Sequence, residues 1–85
     1  MQDKSNFLKS ISNSMLNLVW EDNFVIEVKI DGKEVIIAAN NEGLRSLANH
    51  LMMLAKNDIP IGTHIHLDEY NSLENTSNEL IIEKI

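Results

Sequence analysis

Apolar positions recur along this chain at two spacings, one helical and one of period two. From Asp3 to Leu18, the residues Phe7, Leu8, Ile11, Met15 and Leu18 fall at helical spacing among serines and asparagines. That predicts an amphipathic helix held by docking of its stripe, because Ser and Asn compete for backbone hydrogen bonds. Leu16, Leu18 and Trp20 also alternate, so residues 17–20 read either as the end of that helix or as the start of a strand. Phe24 to Ile30 and Lys33 to Ala39 are β-rich runs around Asp31-Gly32, a pair suited to a type I′ turn. A hairpin follows in which Ile30 faces Lys33, Val28 faces Val35 and Ile26 faces Ile37. One face is then apolar, and the reverse mixes Val25, Glu27 and Lys29 with Glu34, Ile36 and Ala38.

Asn40 or Asn41 can cap a second helix from Glu42 to Lys56, with Leu44, Leu47, Ala48, Leu51, Leu54 and Ala55 on its apolar stripe. Asn57-Asp58 and Pro60 end it. Thr63 to Glu69 alternates, Ile65 and Leu67 against His64, His66 and Asp68, and Glu79 to Ile85 supplies a last strand after the polar loop Tyr70–Asn78. The order α-β-β-α-β-β predicts an α+β fold. Its expected form is a two-layer sandwich, with a mainly antiparallel four-stranded sheet carrying both helices on the Phe24/Ile26/Ile65/Leu67 face.

Composition narrows this further. With 85 residues, 44% of them hydrophobic, the chain has material for one core, hence a single domain over 1–85. Residues 1–20 would be its peripheral N-terminal helix and 23–85 its α+β body. The absence of cysteine, of a long apolar run and of a secretory leader predicts a cytoplasmic protein. Thirteen acidic against seven basic side chains give a charge of −6, which disfavours nucleic acid and anionic membranes and favours a basic partner.

Candidate chemistry gathers in Gly62-Thr63-His64-Ile65-His66-Leu67-Asp68-Glu69. Alternation puts both imidazoles and the Asp68 carboxylate on one side of a strand, with same-face neighbours roughly 6.5–7 Å apart. His64, His66 and Asp68 could therefore approach one metal ion, the route to a metal-binding protein or metal-dependent hydrolase. The segment opens like the His-x-His-x-Asp-His signature of metallo-β-lactamase-fold hydrolases, but Glu69 replaces its last histidine and the chain is too short for that fold. No nucleophile elbow or phosphate-cradling glycine loop is present, so the reading is a non-catalytic protein without a cofactor or metal. An alternative role is a small structural module dimerising through exposed sheet.

Asp31-Gly32-Lys33-Glu34-Val35, Asn41-Glu42-Gly43-Leu44-Arg45-Ser46-Leu47-Ala48, Gly62-Thr63-His64-Ile65-His66-Leu67-Asp68 and Ser77-Asn78-Glu79-Leu80-Ile81-Ile82-Glu83 follow one another in this order. Together they resemble the small bacterial immunity proteins of polymorphic toxin systems, in the immunity protein 32 class, over roughly residues 23 to 85. The resemblance implies a small cytosolic α+β protein that binds and neutralises a cognate toxin without catalysis. A basic nuclease toxin suits the acidic charge. The expected partner surface is the mixed sheet face. Glu27, Glu34, Asp68 and Glu83 would lie there with His64 and His66 around an apolar centre of Ile36 and Ile81, provided the last strand turns its odd-numbered residues outward.

Overall fold

The computed structural model describes residues 18–85. The first hairpin pairs β1 (Ile26–Asp31) with β2 (Glu34–Ala39), antiparallel. Its loop is Gly32-Lys33, with Asp31 opposite Glu34, so every pairing is displaced by two residues from the expected register: Ile30 faces Val35 and Val28 faces Ile37. Gly32 adopts φ +62° at the first loop position and Lys33 does not share it, the pattern of a type II′ turn. An even displacement leaves the faces unchanged. Ile26, Val28 and Ile30 still share a side with Val35, Ile37 and Ala39. Ile26 and Val28 are buried in the core and half-buried Ala39 packs against it, while Ile30, Val35 and Ile37 stay exposed.

Helix α1 (Asn41–Leu54) follows directly. Asn40 caps it, its Oδ1 accepting from the Gly43 N–H at 2.8 Å. The same oxygen accepts from the Val25 N–H, while Nδ2 donates to the Asn23 carbonyl, so one side chain fixes both the helix start and the approach to β1. The helix is turned from its expected orientation. Its inward residues are Gly43, Ser46, Leu47, His50 and Leu54, whereas Leu44 and Leu51 are exposed. Segment 18–24 occupies part of that inner side: Leu18 is buried, the Ser46 hydroxyl accepts from the Glu21 N–H, and Arg45 forks onto the Glu21 carboxylate. That exposed pair holds the Glu21 carboxyl below its ordinary value through its hydrogen bonds.

The second hairpin pairs β3 (His64–Leu67) with β4 (Leu80–Glu83), antiparallel, Leu67 opposite Leu80 and His64 opposite Glu83. Among the described residues the fold is β-β-α-β-β, with one helix and two separate two-stranded sheets. This corrects the expected four-stranded sheet with two helices on one face. The reason lies at the outer edge of β1. The loop before β4 takes it: the Ile26 carbonyl accepts from the Glu74 N–H, the Val28 carbonyl from the Asn78 N–H, and the Val28 N–H donates to the Ser77 hydroxyl. With those groups satisfied, no strand from the second hairpin can join β1. The expected first helix, Asp3 to Leu18, lies outside the described residues except for Leu18, and residues 18–20 are neither helix nor strand.

The two hairpins meet through side chains instead. Ile26 and Val28 share one core with Ile65 and Leu67, joined by Leu18, Leu47, Leu54, Ile59 and Leu73. His50 belongs to it as a neutral residue. Its Nε2 lies 2.9 Å from the Val19 carbonyl, which can only accept, so that nitrogen carries the proton. Nδ1 is enclosed without a partner, and the ring meets Trp20 edge-on at 4.3 Å. Burial lowers the His50 pKa, against a smaller raising effect of the Val19 hydrogen bond. The unfolded imidazole titrates near 6.5. As pH falls below that value the unfolded chain takes up a proton that the folded chain resists, so stability is full above 6.5 and declines on acidification. Urea midpoints are expected to fall from pH 7.5 to 5.5 in the natural protein and to change less in His50→Gln.

Candidate functional site

Strand β3 is short, and its alternation is strict: Ile65 and Leu67 are buried, His64 is exposed and His66 half-buried. Because His66 pairs with Ile81 and His64 with Glu83, these four share the outer face of the second hairpin. Ile81 is 56% exposed there, an apolar residue between charged and polar neighbours. Glu27, Glu34 and Ile36 lie on the other sheet, where Glu27, Lys29 and Asp31 share a face with Ala38, Ile36 and Glu34. Lys29 faces Ile36 rather than Glu34, and its ammonium lies 3.7 Å from Glu27 on its own strand. The single continuous sheet face expected to carry all eight residues is thus divided between two hairpins that share no ladder.

Asp68 directly follows β3 and is held by a turn of side-chain and backbone hydrogen bonds. Its Oδ1 accepts from the Tyr70 N–H, and its backbone carbonyl accepts from Asn71, Ser72 and Leu73. Asn71, buried, closes the turn. Its Oδ1 accepts from the Asp68 N–H and the Ser72 hydroxyl, and its Nδ2 donates to the His66 carbonyl. These bonds leave Asp68 Oδ2 facing His66, 3.8 Å from Nε2. Glu79 completes a group of three, its Oε1 3.5 Å from the same nitrogen. His64 is not among them.

Neither Glu79 nor Asn71 stood out in the sequence. Glu79 is opposite Asp68 when the β3–β4 register is continued by one pair, so the hairpin pairing was its signal. Asn71 sat in what read as a polar loop. The spacing Asp68-x-x-Asn71, suited to mutual side-chain and backbone bonding, was the available clue.

The family model of immunity protein 32 matches residues 34–85, from the start of β2 through β4 and more than half of the chain. The chain belongs to the immunity protein 32 family. No curated protein and no solved structure matches it. The matched span of this immunity protein contains β2, α1, the histidine strand and β4, while β1 and Glu27 precede it. A family of this name indicates an immunity function, with a toxin as the partner. Among the described residues, no helix is long and apolar enough to cross a membrane.

Proposed function

We propose that this immunity protein acts in the cytoplasm by binding its cognate toxin, without catalysis, through the outer face of the β3–β4 hairpin. The observation that carries the reading is the exposed Ile81 set among His64, His66 and Glu83, inside the span matched by the family. A large apolar side chain ringed by polar groups is the pattern of an interface centre and its rim. Asp68 stands at the end of the same strand, and Glu27, Glu34 and Ile36 supply a second contact area on the first hairpin. The charge of −6 favours a basic toxin, a nuclease among them, because opposite fields speed encounter.

Surface plasmon resonance against the toxin encoded in the neighbouring gene tests this. Ile81→Ala is expected to raise the dissociation rate on the order of 10-fold, equivalent to about 1.4 kcal/mol. Reversing Glu27, Glu34 and Glu83 should chiefly slow association, with a weaker dependence on salt. The proposed face is wrong if these changes leave both rates alone while Leu44→Asp and Leu51→Asp, on the exposed side of α1, abolish binding.

A further inference from the structure

We propose that His66, Asp68 and Glu79 form a zinc site, a role beyond toxin binding that uses two residues of the proposed face and is read out by metal binding alone. The three ligand atoms lie within 4.8 Å of one another, with His66 Nε2 at 3.5 Å from Glu79 Oε1 and 3.8 Å from Asp68 Oδ2. Ligands bound to zinc at about 2.0–2.2 Å with tetrahedral angles stand about 3.4 Å apart, so little movement would close the group around an ion. Direct hydrogen bonds would be shorter, near 2.7–2.9 Å for a charged pair.

His66 supplies an independent reason. Its Nε2 is enclosed and has no hydrogen-bond partner, although it faces two carboxylates. A buried imidazole nitrogen left in that state is costly unless something occupies the gap. The surrounding bonds also fix the ligands before any ion arrives. Tyr70 takes Oδ1 of Asp68 and leaves Oδ2 for the metal, and buried Asn71 ties the His66 carbonyl to the Asp68 N–H. Such outer partners are what orient ligands in metal centres. One imidazole with two carboxylates suits zinc better than magnesium or calcium, which prefer all-oxygen sets. Three protein ligands leave a fourth position for water or for a donor from a bound partner.

Isothermal titration of the tag-free full chain with zinc chloride, with retained metal measured by atomic emission after dialysis, tests the assignment. One zinc per chain is expected. His66→Gln and the exposed Glu79→Gln should each weaken binding by roughly 10-fold or more, while His64→Gln leaves it unchanged. Thermal denaturation should shift upward with zinc in the natural chain and by less, at the same zinc concentration, in Glu79→Gln, a variant at an exposed position. The absence of saturable binding would overturn the site. An equal loss in His64→Gln would overturn the ligand set.

Discussion

Gly43→Ala is expected to destabilise the protein by about 1–3 kcal/mol, the cost of overpacking, and to lower its urea midpoint accordingly. The direction is opposite to the usual gain of about 1 kcal/mol when alanine replaces glycine inside a helix. Gly43 sits in the first turn of α1, where a Cβ would run into the backbone carbonyl oxygen of Val25 and come within 3.0 Å of Ile26 Cγ1 and 3.2 Å of the Ala39 Cβ. The nearest obstacle is main chain, fixed by the Asn40 N–H donating to that same Val25 carbonyl, so a small side-chain adjustment cannot relieve it. The glycine is needed for close approach of helix and hairpin. A raised midpoint would show that α1 can move away from β1 without loss.

Leu54→Ala is expected to cost about 2–5 kcal/mol, and Leu51→Ala less than about 1 kcal/mol. Leu54 is 5% exposed in the core, whereas Leu51, three residues earlier on the same helix, is 42% exposed. A domain of this size lies toward the low end of the usual ~5–15 kcal/mol, so the first substitution could remove most of its stability. Chemical denaturation of the two variants side by side measures the rotation of α1 directly. Equal losses would mean that the helix buries the leucine stripe after all.

The features legible in the sequence were those that depend on neighbours in the chain. Asp31-Gly32 located the first hairpin, and alternation from His64 to Leu67 separated the core and outer residues of β3. The turn type escaped because Asp31-Gly32 admits two placements of one glycine, differing by two residues in register and not at all in face. Helix α1 was legible as a helix but not in rotation. Leu44, Leu47, Leu51 and Leu54 offered an apolar stripe, yet Ser46 and His50 took inward places because Glu21 and Val19 supply their hydrogen bonds. Those partners lie 25 and 31 positions away, beyond any local pattern. The division of the sheet was hidden for the same reason. It rests on Glu74, Ser77 and Asn78, which read as loop and act as the second neighbour of β1. Of the candidate site, the histidine strand and Asp68 were visible, and Glu79 required the pairing of two strands across that loop.

The satisfaction of β1 by a distant loop has a consequence during synthesis. The first hairpin is complete once Ala39 has been delivered, and Val28 leaves the ribosome 49 residues ahead of Ser77. At ~5–20 residues per second, the interval is about 2–10 s. Until then Ile26 and Val28 lack Ile65, Leu67 and Leu73 to pack against, and the outer edge of β1 presents unpaired backbone groups. An open apolar edge is the feature by which nascent chains join one another instead of completing their own fold. The yield of soluble protein should therefore depend on how quickly the ribosome delivers the stretch from Glu74 to Asn78, so that synonymous codons there influence folding although they change no residue.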